Sequence, residues 1–170
     1  NPAAYKDNLE IPLPIPKNKV VKHHPALSYK ELPEFMVELG KMDGFGPLAL
    51  EFLILNSNRT AEVLKAEWVE FDLDKRQWTI PAIRLGKTNR SHIVPLSEQS
   101  MAIINRLSQH AVSKYVFPND RNLAHLSSGG MHSVIHRMCT KRKWVDDFGD
   151  KITVHGMRST FRDYIAEQTD

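Results

Sequence analysis

Between Val69 and Pro95 the apolar residues stop recurring every three or four positions and begin to alternate. This switch constrains the fold more than any other feature. A period of 3.6 lines one face of a helix, whereas a period of 2 lines one face of a strand. Val69, Phe71 and Leu73 alternate, the run from Asp72 to Lys75 turns the chain, and Trp78 and Ile80 alternate up to Pro81. A loop from Arg84 to Asn89 follows, then a third short strand from His92 to Pro95. Three short strands with tight turns predict a small antiparallel meander.

Helical spacing rules on both sides of it. Ser28 and Glu31 make a capping-box pattern ahead of Leu32, Phe35, Met36 and Leu39. Gly44 and Gly46 interrupt, and Pro47 opens a second helix whose residues 48–55 are apolar nearly all round, the pattern of a buried helix. A third helix is expected over 60–67. After the strands, Ser97 caps a helix with Met101, Ile104 and Leu107 inward, and Tyr115 to Pro118 reads as a short extended piece. Ser128 caps another helix with Met131, Val134, Ile135 and Met138 inward; a charged loop spans 141–150. Thr153 caps a last helix with Met157, Phe161 and Ile165 inward. The expected class is α+β: a mostly helical domain over 28–170 with one small three-stranded antiparallel sheet. Residues 1–27 carry Pro2, Pro12, Pro14, Pro16 and Pro25 and show no sustained period, so they are expected to be an interdomain linker or extended arm.

With 170 residues, 41% of them hydrophobic, the chain suffices for one domain with a proper core. The one cysteine, Cys139, excludes an internal disulfide and fits a reducing compartment. No apolar run approaches the roughly 20 residues that span a bilayer. The longest, 47–55, carries Glu51. The N-terminus lacks a signal-peptide pattern and an initiator methionine, so the chain is expected to be a cytoplasmic protein and a piece of a longer one. The net charge of +3 says little, but its distribution says more. Residues 84–92 hold Arg84, Lys87, Arg90 and His92 with no acid, and residues 132–143 hold His132, His136, Arg137, Lys141, Arg142 and Lys143 with none either. Such runs form nucleic-acid surfaces or merely solvated faces; charge alone leaves both open.

Three constellations could carry chemistry. Arg59 and Glu62, three apart at the start of a helix, can share a face. An arginine there opposes the helix dipole and needs an anion or Glu62 itself as its reason. The pair is either an anion site or an ordinary ion pair. His155 and Arg158 project together from one turn near a helix N-terminus, with Gly156 between them. Helix N–H groups, a guanidinium fork and an imidazole donor can make a phosphate site, or a capping histidine beside a solvated arginine. Lys87, at the tip of the hairpin loop, is a solvated lysine or a mobile cation delivered into a site. His132 and His136 have the spacing of a metal pair, but no third ligand accompanies them, and a surface or DNA-facing role fits better. No metal or cofactor is expected, and no Gly-rich phosphate loop is present.

The order Arg59, Glu62, Lys87, then His155-x-x-Arg158 resembles the tyrosine recombinases, specifically integrases of prophages and genomic islands. The strings RTAEVLKAEWVEFDLDKRQWTIPA, HIVPLS and VHGMRSTFRDYIAE carry the likeness, and NPAAYKDNLE to HHPAL resembles the family's interdomain linker. The resemblance covers nearly the whole chain. It implies the DNA breaking–rejoining fold and site-specific recombination through a 3′-phosphotyrosine intermediate. By position it implies that Arg59 and Arg158 bind the scissile phosphate, that Lys87 and His155 complete the catalytic set, and that Glu62 supports Arg59. Arg84, Arg90, His132 and Arg137 are expected to face DNA. The implied partners are double-stranded attachment-site DNA, further copies in a tetramer on that DNA, and excision or host DNA-bending factors; the implied location is at the nucleoid. Ala61 stands where the family often has glycine. The family's nucleophilic tyrosine has no counterpart: Tyr164 lies too soon after Arg158 and within apolar spacing, so it is expected to pack. The chain alone is then expected to bind DNA without cleaving it. The alternatives are a type IB topoisomerase and a non-catalytic DNA-binding regulator derived from an integrase.

Overall fold

The structure is a computed structural model and describes residues 24–85, 90–119, 121 and 123–168. Its elements run α1 (Leu32–Gly40), α2 (Phe45–Asn56), α3 (Thr60–Leu64), β1 (Phe71–Asp72), β2 (Gln77–Ile80), α4 (Ala82–Leu85), β3 (His92–Pro95), α5 (Glu98–Ser108), α6 (Ser128–Lys141) and α7 (Gly156–Gln168). The class is α+β, mostly helical with one antiparallel sheet in the order β1-β2-β3. Residues 1–23 and Lys87, together with most of the expected arm, lie outside the described residues.

Helix α2 organises the core because it has no polar face. Ala49, Leu50, Phe52, Leu53 and Ile54 are all fully buried, and α1, α3, α5, α6 and α7 pack around them. Gly46 brings α6 close: a Cβ there would stand 3.1 Å from a Val134 methyl. Phe52 also joins the helices to the sheet, its ring 5.6 Å from Trp78 and 5.7 Å from Phe117. Phe71 stacks on Trp78 at 5.4 Å and 4°, as their cross-strand pairing requires. Trp78 in turn pairs with Val94 on β3.

Several boundaries differ from the sequence reading, each for a local reason. Ser28 makes no side-chain cap; its carbonyl accepts the Glu31 N–H at 3.0 Å and closes a 3-10 turn before α1. Helix α3 stops at Leu64 because the next residues pair elsewhere: the Ala66 carbonyl accepts the Val116 N–H, and the Trp68 N–H donates to the Lys114 carbonyl. That leaves Val69 in a 3-10 turn, 90% exposed, so alternation starts only at Phe71. The expected loop after β2 begins with the helical turn α4. Ser128 opens α6 itself, with Ser127 in the cap position. Ser97 does cap α5, accepting the Ser100 N–H at 3.2 Å. Thr153 likewise accepts the Gly156 N–H at 2.9 Å at the head of α7. Ile165, expected inward, is 42% exposed.

Candidate nucleic-acid and phosphate site

The site forms where α2 ends. Ser57 adopts the left-handed conformation (φ 50°, ψ 33°), and its N–H still bonds the Ile54 carbonyl at 3.1 Å. This reversal buries Asn58 and delivers Arg59 to the head of α3. Glu62 then gathers the turn. One carboxylate oxygen accepts the Arg59 N–H at 2.8 Å and the Asn58 amide at 3.3 Å; the other accepts the Arg59 guanidinium at 2.8 Å. Burial alone would raise the Glu62 carboxyl, but the bonds from Arg59 and Asn58 outweigh it and hold it below the usual range. The carboxylate is therefore fixed and charged, and Arg59 is fixed with it while staying two-thirds exposed.

The second half of the site comes from α7. The Nε–H of Arg158 donates to the Ser57 carbonyl at 2.7 Å, across a separation of 101 residues. That bond occupies the inner edge of the guanidinium and leaves its two terminal nitrogens, which carry no hydrogen bond among the described residues. Ser57, His155, Arg158, Ser159 and Arg162 line a shallow polar pocket of about 250 Å³. Arg59 stands near enough for its charge to bear on both other groups. Burial first, then the like charge of Arg59, push Arg158 below the usual arginine range, with Glu62 acting against them. Burial, then His24, Arg158 and Arg59, push His155 below its ordinary value. Two guanidinium groups and a cationisable imidazole gathered around the single carboxylate of Glu62 leave an excess of positive charge, which favours an anion.

The other basic candidates divide. Arg84, expected to face DNA, turns inward. Its guanidinium ion-pairs with Glu70 and donates to the Glu62 carbonyl; its side chain is only 16% exposed. Glu70 also accepts the Trp78 indole N–H at 2.9 Å. Arg84 is thus a clamp between the sheet, reached through Glu70 and Trp78, and α3, because a buried carboxylate without a cationic partner is costly. Arg90, His132, His136 and Arg137 are exposed, with the His132 ring 2.7 Å from the Ser128 carbonyl. Tyr164 is half-buried against the core and lines an apolar groove with Leu32, Met36, Ile54 and Phe161. Sequence reasoning missed Ser57 and Arg162. Arg162 was findable, four residues after Arg158 on the same helix; nothing in the sequence marks a backbone carbonyl as a guanidinium anchor.

The family model for the phage integrase family matches residues 29–169. The chain belongs to the phage integrase family. It is 31% identical over 161 residues to the integrase of Enterobacteria phage P4, covering 86% of this chain and 35% of that protein. Among solved structures it resembles the XerA recombinase (TM-score 0.65, 17% identity, 98% of this chain, 58% of that one). It also resembles a lambda integrase solved as a tetramer on a Holliday junction (TM-score 0.67, 14% identity, 92% of this chain, 46% of that one). At such identities these structures establish a shared fold. This phage integrase family chain spans about a third of the length of its P4 relative. Among its described residues no helix is long and apolar enough to cross a membrane.

Proposed function

We propose that the full-length protein is a tyrosine recombinase that integrates or excises a mobile DNA element, and that this chain carries its phosphate site. The observation that carries the reading is the union of His155 and Arg158 in one polar pocket, beside Arg59, by the Arg158–Ser57 bond. A phosphodiester under attack gathers negative charge on its non-bridging oxygens. Two guanidinium forks and an imidazole donor can neutralise that charge where it develops. Arg59 and Arg158 are the two forks in this reading, His155 is the donor, and Glu62 holds Arg59 in place. Lys87 protonates the leaving 5′ oxygen, a role that rests on the family resemblance. A tyrosine hydroxyl attacks phosphorus to give a 3′-phosphotyrosine; the retained bond energy lets a new strand be joined without ATP.

Arg90, His132 and Arg137 supply further contacts to double-stranded DNA, and full-length copies assemble as a tetramer on it, as the lambda integrase does. Excision and host bending factors would act on that assembly at the nucleoid. None of the described tyrosines, Tyr29, Tyr115 and Tyr164, lines the pocket. This chain alone is therefore expected to bind duplex DNA weakly, roughly 10⁻⁴–10⁻⁶ M at physiological salt, and to form no covalent adduct on a nicked substrate. An adduct lost on Tyr164→Phe would make Tyr164 the nucleophile.

The deciding experiment compares binding with recombination for one substitution. Arg158→Ala should weaken binding modestly, since one phosphate contact among several is lost. In the full-length protein it should nearly abolish strand exchange, since the lost charge acts mainly in the transition state. Recombination near the unaltered rate would remove Arg158 from the site; a full-length protein that binds attachment DNA but never exchanges strands would be a regulator.

A further inference from the structure

Residues 24–27 run across the head of α7 and are fastened to it. The Thr153 N–H and hydroxyl both donate to the Pro25 carbonyl, at 3.0 and 3.3 Å. The Thr160 hydroxyl donates to the Leu27 carbonyl at 2.8 Å, and Leu27 itself is sunk in the core. The fit is tight enough that a Cβ on Gly156 would lie 1.9 Å from the Pro25 carbonyl oxygen. Only glycine admits the strap at this point. Residues 24–27, expected to belong to an interdomain linker or extended arm, are thus packed against the head of α7 behind the pocket.

The strap ends on His24, whose ring meets that of His155 edge-on, with centroids 4.5 Å apart and planes at 63°. This is a favoured aromatic geometry. His155 needs such a neighbour. It precedes α7, and among the described residues its ring makes no hydrogen bond that would hold it. The charged groups bearing on it are Arg158 and Arg59, with Arg162 sharing the pocket wall and Glu62 already committed to Arg59 and Asn58. Among the described residues no carboxylate bonds the imidazole, and the His24 ring contact is what restrains it.

We propose that His24 is a positioning residue for His155: its ring, delivered by the strap, fixes the His155 imidazole at the phosphate pocket. The proposal rests on the reading of His155 as a phosphate ligand. His24 is not among the residues lining the pocket, so it acts through His155 and not on the phosphate.

The test pairs spectroscopy on the 170-residue chain with kinetics on the full-length protein. In nuclear magnetic resonance titrations, His24→Ala should shift the His155 ring signals toward those of a freely rotating imidazole. It should also move the His155 titration midpoint up toward the ordinary 6.5. His24→Phe keeps the edge-on packing and should keep the ring shifts. In the full-length protein His24→Ala should slow strand cleavage about tenfold or more, within the roughly 10²-fold that an ångström of misplacement costs. DNA affinity should stay unchanged, and His24→Phe should recover most of the rate. His155 signals that do not move in His24→Ala overturn the proposal, as does equal slowing by Ala and Phe, which would make His24 a donor. His155→Ala is the control on the underlying reading: if it leaves cleavage intact, His155 is no phosphate ligand, whatever the ring shifts report.

Discussion

Arg158 reaches back 101 residues to bond the carbonyl of Ser57 at 2.7 Å, and this bond joins the two halves of the pocket. Its geometry depends on the left-handed backbone at Ser57 (φ 50°), a conformation that costs a residue with a Cβ about 1–2 kcal/mol. Ser57→Gly should therefore keep both the carbonyl direction and DNA affinity, with stability within about 1 kcal/mol of the parent. Ser57→Val, whose branched side chain resists this conformation, should lose about 1–2 kcal/mol and weaken DNA binding. Urea unfolding and a binding isotherm on each variant check both statements; a Val variant with unaltered affinity would show that the carbonyl does not hold Arg158.

Gly156→Ala gives a test with an unusual sign. Within a helix this change ordinarily gains up to about 1 kcal/mol. Here the new methyl would occupy the Pro25 carbonyl, so the variant should instead lose about 1–3 kcal/mol or more. Thermal unfolding would read it, and a stabilised variant would mean that the strap yields at no cost.

Removing the inward arginine should hurt stability more than DNA binding. Arg84→Ala strands Glu70, whose side chain is 5% exposed, and the loss of one partner of such a pair costs about 3–5 kcal/mol. Replacing Arg84 and Glu70 together with apolar residues should recover much of it. If Arg84→Ala instead unfolds normally and binds DNA poorly, the clamp reading is wrong.

If the pocket binds phosphate as proposed, His155 should set the pH dependence of that binding. Burial and its cationic neighbours hold its folded pKa below 6.5, so the unfolded chain takes up its proton first as pH falls. Its contribution to folding is then intact above 6.5 and declines below that value. A bound phosphodiester reverses the local field and raises the pKa, so DNA affinity should increase from pH 7.5 toward 6 with uptake of a proton. Calorimetry in buffers of different ionisation enthalpy measures that proton, and it should vanish in His155→Ala.

Glu62 acts at lower pH with the opposite logic. Its folded pKa lies below the ordinary 4.5, so its stabilising bonds are complete above 4.5 and are lost as pH falls through the lowered value. Glu62→Gln should flatten acid unfolding in that range while weakening the hold on Arg59. An unchanged acid limb would mean that Glu62 does not report on this turn.

The sequence by itself determined the class, the number and order of most elements, and the identity of the buried helix. These follow from local periodicity: Leu50, Phe52 and Leu53 can only be satisfied inside, and Trp78 and Ile80 can only alternate on a strand. It also singled out Arg59 with Glu62 and His155 with Arg158 as candidates, because each pair's spacing fits one helical turn; their expected roles came from the family resemblance. It did not determine where a cation points. Arg84 and Arg90 read alike in a basic run, yet Arg84 is drawn inward by Glu70 from fourteen positions away. Nor did it show that Pro25 lies on Gly156, or that a serine carbonyl holds Arg158. Those contacts join residues more than a hundred positions apart, and only close packing of the finished core decides which backbone atom meets which side chain.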